Sequence, residues 1–179
     1  SISLLLHCSV PTNLLRALVH DAGPSLVTLS LVRPRFRTGP DHYLHIVECT
    51  FSTLRNLTYA GTSEILTTLS KASNLEHLTL NTVSFSPRNG GSVGLFGALS
   101  ALPKLRSLSL SIDTDTSWLK AEDIMAYIGA QKTLRTLTVF VQKSCREKSP
   151  WCRWSQTEKD EVYHLATSAG VAFSIKSWE

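Results

Sequence analysis

Leucines recur along this chain in a fixed six-residue frame: leucine, two variable residues, leucine, one variable residue, then an apolar residue. The frame appears five times, as Leu26-Val27-Thr28-Leu29-Ser30-Leu31, Leu54-Arg55-Asn56-Leu57-Thr58-Tyr59, Leu75-Glu76-His77-Leu78-Thr79-Leu80, Leu105-Arg106-Ser107-Leu108-Ser109-Leu110 and Leu134-Arg135-Thr136-Leu137-Thr138-Val139. The leading leucines are separated by 28, 21, 30 and 29 residues. Within each copy the second leucine and the last apolar residue alternate with small polar residues, which is the period of a strand with one buried face. The leading leucine sits at the turn into the strand, where it too can pack inward.

Parallel neighbours need a long crossover between them, usually helical, and the spacers have that character. Residues Pro11 to His20 place Leu14, Leu15, Leu18 and Val19 on one helical face, with Pro11 suited to a first turn. The spacer from Ser63 to Ala72 carries Ile65, Leu66 and Leu69. Ser92 to Leu102 carries Val93, Leu95, Phe96, Leu99 and Leu102, and Ala121 to Ala130 carries Ile124, Met125, Tyr127 and Ile128. Ser155 followed by Glu158 reads as a capping box ahead of a last helix. Gly170 ends that helix, and Val171 to Ile175 reads as a final strand. The segment from Asp41 to Cys49 fits either a short helix or a strand. Ile2 to Leu6 is too short to span a bilayer and reads as an internal strand, which makes the whole chain a piece of a longer protein. An ordinary doubly wound domain would also alternate strands and helices, but its strands read as continuous apolar runs. Here the outward residue between the two apolar positions is Ser or Thr in every copy, so a sheet buried on one side is expected.

The five segments resemble the strand segments of leucine-rich-repeat proteins. The variable spacing, the helical spacers and phrases such as NLEHLTL and LPKLRSLSL are similar to the repeat regions of F-box and related fungal-type leucine-rich-repeat proteins. The resemblance covers residues 26 to 140 well and the ends weakly. It implies an α/β leucine-rich-repeat solenoid of about five or six parallel strands, with helices on the convex side and irregular repeats. Residues 1–179 then form one domain, of which 141–179 is a divergent C-terminal cap. The chain departs from the family pattern where an Asn or Cys usually follows the strand. Those positions hold Pro34, Thr62, Val83, Asp113 and Gln142, which argues against a regular, strongly curved horseshoe.

Composition narrows the function classes. With 42% hydrophobic and 18% charged residues the chain belongs among folded proteins. A net charge of +4 is too mild for a dedicated nucleic-acid binder. The four cysteines, Cys8, Cys49, Cys145 and Cys152, have no zinc spacing. They read as thiols in a reducing, intracellular compartment, with a Cys145–Cys152 bridge as the alternative. Two histidines at His42 and His45, and Asp113 with Asp115, lack further ligands, so no metal is expected. The Gly90-Gly91-x-x-Gly94-x-x-Gly97 turn has the context of a phosphate cradle without the fingerprint of one, and no nucleophile elbow is present.

Recognition is therefore the expected function, with no catalytic residue, no cofactor, no small-molecule substrate, no membrane and a protein as partner. The resemblance implies a narrower role, the substrate-recognition region of an F-box-type ubiquitin ligase subunit. A nucleotide- or phosphate-binding doubly wound enzyme is one alternative. An RNA-contacting module, using the basic, Trp-containing stretch from Lys143 to Arg153, is another. The candidate contacts are Asn56, His77, Asn81 and Phe140 among the outward strand residues, and Arg33, Arg35, Phe36 and Arg37 in the loop after the first frame. Between them runs a middle row of Ser30, Thr58, Thr79, Ser109 and Thr138.

Overall fold

A computed structural model describes residues 2–6, 12–32, 48–60, 63–81, 91–112, 119–142 and 154–178. Its seven strands are β1 (Ile2–Leu6), β2 (Leu26–Leu31), β3 (Asn56–Ala60), β4 (His77–Asn81), β5 (Ser107–Ile112), β6 (Thr136–Gln142) and β7 (Ala172–Trp178). They form one sheet in the order β1-β2-β3-β4-β5-β6-β7, and every pair is parallel. The helices are α1 (Thr12–Ala22), α2 (Gly91–Ser100), α3 (Ala121–Ala130) and α4 (Gln156–Ser168). The architecture is α/β. The strand order never reverses, and reversal is the feature at which doubly wound sheets bind nucleotides.

Register follows the leucine frame. Leu29, Leu57, Leu78, Leu108 and Leu137 lie side by side across β2 to β6, and Leu31, Tyr59, Leu80, Leu110 and Val139 form the next row. The leading leucines Leu26, Leu54, Leu75, Leu105 and Leu134 are all fully buried. These rows share a single core with Val19 of α1, Leu95 and Leu99 of α2, Ile124 and Ile128 of α3, and Val162 and Ala166 of α4. Each helix thus contributes its apolar residues to the same face of the sheet.

The entry to the strands is built alike three times. The carbonyl of Arg55 accepts from the amides of Glu76 and His77 (2.8 and 2.9 Å), that of Glu76 from Arg106 and Ser107 (2.8 and 3.0 Å), and that of Arg106 from Arg135 and Thr136 (2.7 and 3.0 Å). One carbonyl serving two consecutive amides marks a bend, which lets the leading leucine turn inward before strand alternation begins.

The last helix begins with the expected capping box. The Glu158 amide donates to Ser155 Oγ (3.2 Å), and the Ser155 amide donates to Glu158 Oε2 (2.6 Å). The Ser155 hydroxyl, which donates to Glu158 Oε2 at 2.8 Å, and then the Ser155 amide hold the exposed Glu158 carboxyl below its ordinary range. Gly170, at φ +69°, ends the helix in a conformation that suits glycine.

Four features differ from the sequence reading. The strands number seven, because both flanking segments join the sheet. The final strand is Ala172–Trp178, and Val171 just before it is buried, 5% exposed. The spacer expected as a helix from Ser63 to Ala72 is two 3-10 helices, Ser63–Thr67 and Leu69–Lys71. With the shortest spacing in the chain, this turn gains from a helix that rises about 2.0 Å per residue and aligns positions three apart, as Leu69, Ala72 and Leu75 are. Finally, Gly94 and Gly97 lie inside α2, not in a loop before it.

Two phenols are buried without a hydrogen-bond partner among the described residues, Tyr59 and Tyr127. Burial pushes the Tyr127 phenol well above its ordinary value. Gln131 acts in the opposite direction, while its amide donates to the carbonyls of Leu99 and Leu102 (3.2 and 3.3 Å). The Tyr127 ring stacks on Phe96 at 4.8 Å between centroids.

Two predictions follow from this packing. Leu108→Ala, inside the core, is expected to lower unfolding stability by about 3 kcal/mol. Its chain neighbour Ser109→Ala, on the opposite face, should stay within about 0.5 kcal/mol; urea titration of both variants tests which face is buried. Tyr127→Phe removes an unsatisfied hydroxyl, so at neutral pH it should be at least as stable as the parent. Because the folded-state pKa of Tyr127 is raised, its contribution is constant below about pH 10, the unfolded value, and is lost as pH rises further. The gap between the two proteins should therefore widen in alkaline thermal melts, and a gap that narrows would count against burial of this phenol.

Candidate functional site

The outward residues of the strands form rows as regular as the inward ones. The middle row pairs Ser30 with Thr58, Thr79, Ser109 and Thr138 across β2 to β6, and Ser174 of β7 extends it. Thr138 and Ser174 share a hydrogen bond of 3.2 Å between their hydroxyls. Strict alternation places these residues on the side of the sheet away from the apolar rows; Ser30 and Thr138 are nevertheless buried there, and Thr58, Thr79, Ser109 and Ser174 are half-buried.

Four of the candidate contacts lie on this face. Asn56 is half-buried, and its Nδ2 donates to Thr28 Oγ1 at 3.0 Å. His77 is exposed and stands in register between Asn56 and Ser107. Asn81, half-buried, stands between Ala60 and Ser111 at the far end of the same strand. Phe140 pairs with Ser111 on one side and Lys176 on the other. The Lys176 ammonium lies 6.0 Å from the Phe140 ring centroid, at the outer limit of a cation–π contact. The structure therefore brings Asn56 and His77 together. Asn81 lies about 13 Å along the strand from His77, and Phe140 about 10 Å across the sheet from Asn81.

The other candidates, Arg33, Arg35, Phe36 and Arg37, lie outside the described residues. So do Asp41 to Val47, most of the loop from Ser84 to Gly91, the loop from Asp113 to Trp118 and the basic stretch from Lys143 to Arg153. Cys49 is exposed, while Cys8, Cys145 and Cys152 are outside. Trp154, just beyond the basic stretch, is buried in the core, and its Nε1 donates to the Leu119 carbonyl at 3.2 Å.

A second row, one position before the outward strand residues, was not singled out by sequence. It holds Arg55, Glu76, Arg106 and Arg135, each following a leading leucine. Glu76 Oε1 lies 3.4 Å from Arg55 Nη1, and Glu76 Oε2 lies 3.9 Å from Arg106 Nε. The arginines are about two-thirds exposed and Glu76 is 23% exposed, so solvent screens these pairs and each contributes little to stability. The sequence signal was present, since the residue after each leading leucine is charged in four successive copies.

No group of three or more His, Cys, Asp or Glu side chains able to hold a metal ion occurs among the described residues. None of the described helices is long and apolar enough to cross a membrane. No protein family, curated protein or solved structure matches the chain.

What this surface offers chemically is hydrogen bonding by adaptable hydroxyls and amides, with basic groups along one edge. Asn56→Ala removes one half-exposed hydrogen bond, so it is expected to cost about 0.5 to 1 kcal/mol in thermal or chemical unfolding. A loss several times larger would mean that Asn56 holds the sheet together and is not available as a contact.

Proposed function

We propose that the chain is a leucine-rich-repeat solenoid that works as a protein-recognition module, with the outward face of its sheet as the contact surface. The observation that supports this most directly is the unbroken row of hydroxyl side chains in register from β2 to β7, opposite the core. Sequential strand order favours the solenoid form, since each repeat then contacts only its neighbours. A parallel sheet usually has both faces covered. Here the helical apolar residues gather on one side, and the other carries polar groups suited to an interface built on adaptable hydrogen bonds. His77, Asn56, Asn81 and Phe140 are the distinctive contacts within it. The narrower form of the proposal rests on the resemblance of the repeats alone. In it the module recognises substrates for an F-box-type ubiquitin ligase inside the cell.

Affinity capture from cell extract tests the surface. Thr79→Tyr combined with Ser109→Tyr places two rings on the middle row without opposing strand formation. Specific partners held by the parent protein should be depleted at least about tenfold by this variant, the effect of about 1.4 kcal/mol. The control Val93→Tyr, on an exposed helical position, should retain them. If the paired variant melts like the parent and still captures the same proteins, the face is not the contact surface.

A further inference from the structure

Charge is unevenly divided between the two layers of this molecule. In the strands and the segments that lead into them, the described basic residues are Arg55, Lys104, Arg106, Lys132, Arg135 and Lys176, and the described acidic residues are Glu76 and Glu48, the latter paired with Lys71 at 3.5 Å. The helices and the residues adjoining them show the reverse. There Arg16, Lys71, Lys120 and Lys159 are outnumbered by acidic residues, among them Glu64, Glu122, Asp160 and Glu161. Among the described residues the sheet layer is thus basic and the helical layer acidic.

Among the described residues of the basic layer, two neighbouring arginines have no acidic residue between them. Glu76 on the β4 entry sits between Arg55 on β3 and Arg106 on β5 and contacts both. Arg106 and Arg135 come next, on adjacent strands about 4.8 Å apart, with the Arg135 amide donating to the Arg106 carbonyl at 2.7 Å. No acidic residue stands between them, because no strand does. Like charges side by side in a sheet are unfavourable. Arg135 Nη1 makes a long contact, 3.4 Å, with the carbonyl of Leu134.

We infer that Arg106 and Arg135 form the docking point for an acidic segment of a partner protein. Glu76 shows how the fold accommodates a carboxylate between two entry arginines, and a partner's Asp or Glu arriving from solvent takes the equivalent role between Arg106 and Arg135. Guanidinium groups suit this task, since their planar forks grip carboxylates in pairs. The hydroxyls of Ser107 and Thr136, half-buried in the adjoining row, supply hydrogen bonds to the segment's main chain. The inference rests on the reading of the chain as a recognition module and specifies the chemistry of what that module takes.

The test uses the full chain and a short fluorescent peptide alternating Glu and Ser, with a Gln–Ser peptide of equal length as its neutral counterpart. Anisotropy should show binding of the acidic peptide alone, weakening as salt is added. The variant R106Q/R135Q should weaken that binding about tenfold at low salt. R16Q/K159Q removes the same charge from the helical layer and should leave it unchanged. Equal loss in both variants would reduce the effect to net charge and overturn the inference. So would a peptide that binds no better than its neutral counterpart, or single-stranded RNA binding more tightly through the same two arginines. The two proposals fail separately. Partners lost by the Thr79→Tyr/Ser109→Tyr protein but kept by R106Q/R135Q would sink the acidic docking point alone. Peptide binding lost by R106Q/R135Q, with every partner kept by the tyrosine variant, would sink the outer-face reading alone.

Discussion

Everything in this structure depends on the burial of the leading leucine. A strand with one apolar face offers only two inward side chains in each six-residue frame, too few to hold a parallel sheet to a helical layer. The bend before the strand adds a third. It is made by the shared carbonyls of Arg55, Glu76 and Arg106, and it turns Leu75, Leu105 and Leu134 fully into the core. A further inward position lies three residues earlier, where Phe51, Ala72 and Leu102 are also buried. Four apolar columns instead of two give each turn of the chain enough surface to bury, but only against the turns on either side. No single turn of this kind buries its own apolar face.

Because burial is shared between neighbours, so are the polar groups that burial strands. Thr53 Oγ1 donates to the Gly23 carbonyl (3.1 Å), Asn74 Nδ2 to the Ser52 carbonyl (2.8 Å) and Thr133 Oγ1 to the Leu105 carbonyl (3.0 Å). Each bond runs from one turn to the one before it. Gln131 replaces an apolar residue in the column that holds Phe51, Ala72 and Leu102, and its amide donates to the carbonyls of Leu99 and Leu102, which also accept from the backbone amides of Leu102 and Leu105. Ser92 at the start of α2 donates to Asp123 at the start of α3. These contacts fix how far one turn advances on the next, which apolar packing alone leaves loose. At β7 the same columns thin out: Phe173 and Ile175 are only partly buried, and Tyr163 lies edge-on to Phe173 at 5.2 Å.

The parts legible in the sequence were those written in a strict period. Leucine spacing identified the strands, their parallel order and their buried side, and the Ser155–Glu158 pair located the last helix. The 3-10 helices between β3 and β4 were not legible, because over so few residues Ile65, Leu66 and Leu69 fit a period of three as well as one of 3.6. The last strand could not be found by the leucine frame, because counting back three residues from Phe173, which pairs with Leu137, reaches Gly170 and no leucine. Its register with β6 adds Ser174 and Lys176 to the outward rows. For the candidate surface, alternation was enough to place Asn56, His77, Asn81 and Phe140 on one face. It could not reveal the Arg55–Glu76–Arg106 cluster. Those residues are 21 and 30 positions apart in the chain, and only the sheet order makes them neighbours.

That difference shows where function can reside in such a fold. The inward columns are fixed by packing and admit little variation, since a change in one turn is felt by both neighbours. Outward positions carry less of this constraint, although Ser30 and Thr138 are buried there and Asn56 and Thr138 bond to side chains of neighbouring strands. In this chain they are not a random polar sample. The middle row holds nothing but hydroxyls from β2 to β7, and the row at the strand entries gathers arginines while most of the described acidic residues lie on or next to the helices. Strand propensity explains threonine on an open face, but it does not favour arginine after three of four successive leading leucines, nor does it separate the two signs of charge into two layers. The hydroxyl row alone is compatible with a face that is merely solvated. It is the charge separation laid over it that makes recognition of an oppositely charged partner the simpler account of this surface.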